Sequence, residues 1–541
     1  MLSFLCDLAA PPPSLTDNTA DIDRLLRAVA EQRRDQPPLP LEIPFRRLGL
    51  VAARFRAAAF RGSAVLNHRD SRLELVDFLP QRPSCLPGLA LDLGTTFLEA
   101  TLLDLSEGRV LARGRTRNRQ DALGADILSR IHHSTRGEAG ANGPASSPSL
   151  PSGLVTMQGL VRDSIDELAA GLATEAGIAS RDIRALTVAG NTTMIHFLLG
   201  LTPYHLCREP YIPLVCAPDS CRAAELGLGL HPEAPVWCFP GVGSYFGGDL
   251  VAGILACGLD QAEHTRMLID VGTNAEVVLG NRDWLIACAG AAGPALEGGV
   301  ARMGMRAGPG AIERVRIQQD PWRLEYRTIG ETAPLGLCGS GLIDLVAELF
   351  LARLIDRRGH LRRPEQVHDP RRRDFLRERL REDSAGLLFR VSDTAGDQDS
   401  GPPVELAQVE LDAIMRSKAA MYAILSTITA QVGIGFDELE RIEVAGAFGR
   451  HIDPRQAIVL GMLPDLPPGT YRAVGNSALT GAELALRDDD LRGRARSLAG
   501  RITYEELNVN QDFMLRFSGG RFIPHTDGTL FPTVPEGANP G

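Results

Sequence analysis

Two stretches of this chain, opening near residues 89 and 267, carry the same order of short elements, and any fold must accommodate both copies. In the first, Leu89-Ala90-Leu91-Asp92-Leu93 reads as a buried strand running into Gly94-Thr95-Thr96. Phe97–Leu105 alternates as a second strand, Ser106-Glu107-Gly108 turns it, and Arg109–Arg113 returns as a third. In the second, Met267–Asp270, Val271-Gly272-Thr273-Asn274, Ala275–Leu279, Gly280–Asp283 and Trp284–Cys288 repeat strand, D-x-G-T turn, strand, turn, strand. The shared three-strand continuation predicts an internally duplicated α/β architecture.

Amphipathic helices are expected between and after the copies. Met157–Ala173 places Leu160, Val161, Ile165, Leu168 and Leu172 at helical spacing, and Gly339–Leu349 and Val409–Val432 read the same way. Ala185–Ala189 is a strand whose turn, Gly190-Asn191-Thr192-Thr193, starts a helix. Glu443–Gly446 is a strand entering a glycine turn. Residues 1–86 form a leading region with a helix over Asp21–Arg34 and short strands at Ala64–Leu66 and Leu73–Val76. Ser134–Gly153, rich in Gly, Ser, Pro and Ala, reads as a mobile insertion, and the arginine-dense Arg357–Arg381 as a solvated helical face. The expected division is a linker-like domain over 1–86 and lobes over 87–262 and 263–541.

Composition narrows the chemistry. Of 57 basic residues among 541, only Lys418 is lysine. A Walker P-loop, a kinase strand lysine and a Schiff-base amine each need a lysine in a context that Met415-Arg416-Ser417-Lys418-Ala419 does not provide. A phosphate ligand must therefore be held by backbone amides, hydroxyls and carboxylates. The net charge of −10 argues against a nucleic-acid binder. No apolar run reaches the length of a membrane span, and the N-terminus lacks a basic secretory signal, so a cytoplasmic protein is expected. The nine cysteines include no C-x2-C pair. Cys207, Cys216, Cys221 and Cys238 match no standard metal spacing, and reduced thiols without an iron–sulfur cluster are expected.

The two D-x-G-T turns are suited to phosphate. Gly94 lets the backbone approach, Thr95 and Thr96 offer amide and hydroxyl donors, and Asp92 can hold magnesium through water. Asp270, Gly272, Thr273 and Asn274 supply the same set in the second copy, so that two loops would grip one triphosphate. Val444-Ala445-Gly446-Ala447-Phe448-Gly449 is a strand and glycine turn shaped for a base or ribose. Gly339, Ser340 and Gly341 sit where two helices or lobes would approach, and the helix of Lys418 precedes the Gly446–Gly449 turn, so contact with ribose or base is open to it. Asp249, Glu276 and Glu297 are the carboxylates that could orient the attacking water.

The order phosphate loop, connector, second phosphate loop, glycine helix, adenosine turn resembles the actin-like ATPase superfamily of sugar kinases, actin and heat-shock chaperones. More narrowly, GNTTMIHFLLGLTP (190–203), SYFGGDLVAGIL (244–255), LIDVGTNAEVVLG (268–280), ACAGAAGPALEGG (287–299), LCGSGLIDLVAEL (337–349), VAGAFGRHIDPRQAIVLGMLP (444–464) and VGNSALTGAELAL (474–486) look like the reductive activators of corrinoid proteins, over roughly residues 14–525. The resemblance implies duplicated actin-like (ribonuclease H-like) lobes after a small N-terminal α+β domain. It implies ATP and magnesium as cofactors, a corrinoid protein as partner, and restoration of cob(I)amide from cob(II)amide. Members often begin with a two-iron ferredoxin domain or carry a C-terminal cysteine cluster. Neither motif stands here, so a separate electron-donor protein is expected. No nucleic-acid or membrane partner is expected, and a homodimer is allowed. The alternatives are a nucleotide-gated scaffold or chaperone for corrinoid proteins and a small-molecule kinase on the same core.

Overall fold

A computed structural model of the chain describes residues 1–124, 126–137, 151–272, 274–290, 302–305, 307–384, 386–392, 403–507 and 510–535. It divides into two compact units, 1–256 with 477–500, and 257–476 with 501–541.

The first unit begins with β1 (Ser3–Ala9), α1 (Asp21–Gln32), β2 (Leu41–Glu42), α2 (Phe45–Ala57), β3 (Arg61–Arg69) and β4 (Arg72–Leu79). The strands form one sheet in the order β1-β3-β4-β2. Phe55 of α2 meets Phe60 and Phe78 edge-on, each at 5.0 Å, in its core. The sequence reading located α1 and parts of β3 and β4 but not β1 or α2. In α2 Gly49 and four arginines interrupt the apolar stripe that Val51 and Phe55 carry inward.

The chain continues through β5 (Pro87–Leu93), β6 (Phe97–Asp104), β7 (Val110–Arg117), α3 (Ile127–Ser134), α4 (Ser152–Glu175), β8 (Leu186–Gly190), α5 (Thr192–Leu199), β9 (Cys221–Arg222), α6 (Ala223–Leu226), β10 (Pro235–Cys238) and α7 (Gly248–Cys257). The sheet order is β7-β6-β5-β8-β10-β9. α4 lays Met157, Val161, Ile165 and Leu172 on the sheet, burying the face its spacing predicts. Most of the expected insertion at 134–153 lies outside the described residues.

The second unit runs through β11 (Arg266–Val271), β12 (Ala275–Gly280), β13 (Leu285–Gly290), β14 (Ala311–Gln319), β15 (Trp322–Thr328), β16 (Gly336–Leu337), α8 (Gly339–Leu351), α9 (Pro370–Arg379), β17 (Leu380–Asp383), β18 (Gly386–Arg390), β19 (Glu405–Ala407), α10 (Gln408–Gln431), β20 (Arg441–Ala445), α11 (Gly446–His451), α12 (Pro454–Leu460) and β21 (Tyr471–Gly475). The chain then returns to the first unit as α13 (Ser477–Arg487) and α14 (Asp489–Ala499), and closes in the second with β22 (Ile502–Glu505) and α15 (Gln511–Gly520). Its main sheet has the order β21-β20-β11-β12-β13-β22, beside two three-stranded sheets, β15-β14-β16 and β17-β18-β19.

Five strands of the two main sheets correspond one for one: β7-β6-β5-β8-β10 and β13-β12-β11-β20-β21. The helix before the parallel neighbour is 24 residues long in both, α4 and α10. Two details correct the sequence reading. Helix occupies only 370–379 of the arginine-dense stretch, with Phe375 and Leu376 buried. The glycine turn expected after residue 443 is the start of a helix, α11.

Candidate functional site

In the first unit the ladder pairs Asp92 with Glu99 across the β5–β6 hairpin and with Ala189 on β8. Directly opposed residues share a sheet face, so Asp92 and Glu99 stand together where the strand ends. The hairpin tip is held from behind by its carbonyls. Asn118 Nδ2 donates to Gly94 O at 3.1 Å, and the Asn118 amide to Thr96 O at 2.8 Å. Arg130 Nη1 donates to Thr95 O at 2.6 Å. Asn191, which caps α5 by accepting from Met194 N at 3.0 Å, donates through Nδ2 to Thr95 Oγ1 at 3.1 Å.

Asp249 belongs to the same unit. It lies half-buried in the first turn of α7, accepting from Leu250 N at 2.9 Å, and burial pushes its carboxyl up to about 6. Gly247 packs so closely on the start of α5 that a Cβ there would lie 2.4 Å from Asn191 Cα and 2.7 Å from Asp249 Oδ1. Thr95, Asn191 and Asp249 therefore form one continuous group. A second tie is Thr192 Oγ1, which donates to Gly243 O at 2.6 Å.

The second unit repeats the plan. Asp270 pairs with Glu276 across the β11–β12 hairpin and with Ala445 on β20, matching Asp92 with Glu99 and Ala189. The Gly272 amide donates to Asn274 O at 2.9 Å inside the turn. Gly446 abuts this hairpin with φ +78°, and a Cβ on it would sit 3.1 Å from Val271 O and 3.3 Å from Asp270 Oδ1. A side chain there would be strained and crowded at once. The backbone of Ala447, Phe448 and Gly449 forms the first turn of α11.

Gly339, Ser340 and Gly341 open α8, where a Cβ on Gly341 would lie 2.0 Å from Ile312 O. This is a packing contact between α8 and β14, and Ser340 is buried. Lys418 is a correction. It lies fully buried in α10, and Nζ donates to Phe522 O at 2.5 Å and Pro524 O at 2.7 Å, so it holds the C-terminal tail rather than a ribose or base. Burial drives its pKa well below the usual lysine range. Thr273 and Glu297 lie outside the described residues, as do the side chains of Ala447 and Phe448.

The sequence reading missed Glu99, Asn118 and Arg130, and quoted Asn191 only within a motif. Glu99 was findable from its ladder position; Arg130, in a helix remote along the chain, left no local signal. Among the described residues no group of three or more His, Cys, Asp and Glu could hold a metal ion by itself. Paired carboxylates and hydroxyls nonetheless suit magnesium, which keeps several waters and takes one or two carboxylates. All nine cysteines are free, and burial raises the thiols of Cys221 to about 11 and Cys257 to about 12.

Known proteins are similar to this chain in sequence and fold. Residues 87–262 match the family described as "RACo middle region", and residues 264–535 the one described as "C-terminal domain of RACo the ASKHA domain". The corrinoid activation enzyme RamQ of Eubacterium limosum is 32% identical over 442 residues, 81% of this chain and 71% of RamQ. The chain belongs to the family of reductive activators of corrinoid proteins. Its fold is the duplicated actin-like one, behind a small N-terminal domain. A solved reductive activator for corrinoid, iron–sulfur protein superposes with a TM-score of 0.86 at 35% identity, covering 98% of this chain and 81% of that one. The [Co(II) methylated amine-specific corrinoid protein] reductase of Methanosarcina barkeri is 24% identical over 288 residues, 50% of this chain and 47% of that protein. Among the described residues no helix is long and apolar enough to cross a membrane.

Proposed function

We propose that this chain couples ATP hydrolysis to the one-electron reduction of a corrinoid protein, from cob(II)amide to cob(I)amide, with the electron supplied by a separate donor protein in the cytoplasm. The observation that carries the reading is the similarity, over 98% of the chain, to a reductive activator for a corrinoid protein. The energetic need is plain. For one electron each 59 mV of unfavourable potential costs about 1.4 kcal/mol, and a nucleotide-dependent change of state can offset it by contacting the partner differently in each state.

The functional division is residues 1–86 as a linker-like domain, with ATPase lobes at 87–262 and 263–541. Gly94, Thr95 and Thr96 in the first hairpin, and Thr273 and Asn274 in the second, donate amides and hydroxyls to phosphate oxygens, while Gly272, its amide spent on Asn274 O, lets the backbone approach. Asp92 and Asp270 would hold magnesium through its water shell. When bound, that ion supplies neutralisation of phosphate charge. Gly446, Ala447, Phe448 and Gly449 accept the adenosine, whose close approach a residue without a side chain at 446 permits. Asp249 orients the attacking water; its carboxyl, pushed up to about 6 and set beside the Asn191–Thr95 contact, supports that choice over Glu276 and Glu297.

The test mixes the pure protein with a corrinoid protein in the cob(II) state, a reductant and ATP, and follows the visible spectrum. A cob(I) signal that requires ATP is expected. ATP turnover without a cobalt change would overturn the reading in favour of a scaffold, and a phosphorylated small molecule in favour of a kinase.

A further inference from the structure

We infer that Arg130 is a positioning residue of the first phosphate hairpin, setting the direction in which the Thr95–Thr96 peptide faces. The inference rests on the nucleotide reading proposed above. Its ground is the way three successive carbonyls are occupied. Gly94 O, Thr95 O and Thr96 O each accept from Asn118 or Arg130. In a trans peptide the C=O and the following N–H point in opposite directions. Anchoring the Thr95 carbonyl on Arg130 therefore turns the N–H of the same peptide, that of Thr96, the other way. If the Thr95–Thr96 peptide rotated, it would present a carbonyl oxygen where an anion needs a donor.

The guanidinium is built into the fold for this purpose. Arg130 is 0% exposed, and a buried cation persists only when its donors are used. Nε donates to Gly124 O at 2.8 Å, Nη1 to Thr95 O at 2.6 Å, and Nη2 to Asp121 Oδ1 at 2.7 Å. The planar fork fixes these three directions together, which a lysine ammonium cannot do. Asn191 completes the arrangement. Its Oδ1 is committed to the α5 cap, so its Nδ2 faces Thr95 Oγ1 and the hydroxyl accepts there. The hydroxyl proton is left to donate to a ligand oxygen. In a chain whose single lysine is spent on its own tail, such donors make up the phosphate grip.

The experiment compares ATP with adenosine, which has no phosphate, by calorimetry on the full chain carrying Arg130→Met or Arg130→Lys. Melting curves check that each variant folds. ATP affinity should fall about tenfold or more in Arg130→Met, the loss expected for one hydrogen bond from a charged donor, and less in Arg130→Lys. Adenosine affinity should be unchanged. An unchanged ratio of the two affinities in whichever variant melts like wild type, or an equal loss for both ligands, overturns the inference. A wild-type protein that binds no ATP would instead overturn the nucleotide reading itself.

Discussion

Asp92 and Asp270 occupy one structural position twice: each is the next-to-last residue of the first strand of its hairpin, and each has a glutamate directly across the ladder. Replacing either with alanine should lower ATP turnover on the order of a hundredfold, as removal of one electrostatic stabiliser does, while circular dichroism shows the fold intact. Full turnover in either variant removes that residue from the site. Asp249 predicts a pH dependence. Burial favours the protonated form and raises its pKa to about 6, so the basic form grows in as pH rises through that value. The kcat/KM for ATP should climb between about pH 5 and 7 and level off above. Asp249→Asn should flatten that rise; a rise unchanged in the variant assigns it to another group. These carboxylates were visible in the sequence because they lie within a few residues of a recognisable turn. Arg130 was not, because nothing local links a buried arginine of α3 to a hairpin 35 residues earlier.

At the level of elements, the hairpins were legible for a reason of periodicity: alternating side chains and a Gly-Thr turn are local facts. α10 was expected at Val409–Val432 and spans Gln408–Gln431, since a long buried helix declares itself over many turns. β1 and α2 escaped because their apolar residues acquire meaning only against each other in a small sheet-and-helix core. The contact of α8 with β14 leaves no room for a side chain. A methyl added at Gly341 would meet Ile312 O at 2.0 Å, so the helix and strand would have to part. Gly341→Ala should cost about 1–3 kcal/mol, the range for overpacking, read as a lower melting temperature. A melting curve identical to wild type would show that this contact yields without cost.

Over the whole molecule, the duplication of five strands in the same order was foreseeable from two copies of one pattern, whereas the sixth strand of each sheet differs, β9 in one and β22 in the other. The placement of α13 with the first unit could not be read locally either: its helical pattern says that one face is buried, not against which sheet. Lys418 shows the same limit. Replacing it with methionine removes both donors from Phe522 O and Pro524 O, each at a cost of about 1–3 kcal/mol for an unpaired buried carbonyl. Limited proteolysis should then cut the tail around 511–535 faster than in the wild type; an unchanged digestion pattern would mean that the tail is held by its packing alone. The sequence by itself determined the paired hairpins and the family, since each follows from residues adjacent along the chain. Only the tertiary structure decided that the lone lysine is a tail anchor and that Arg130 holds the hairpin tip. Burial and hydrogen-bond partners come from segments far apart in the chain, and folding alone brings those segments together.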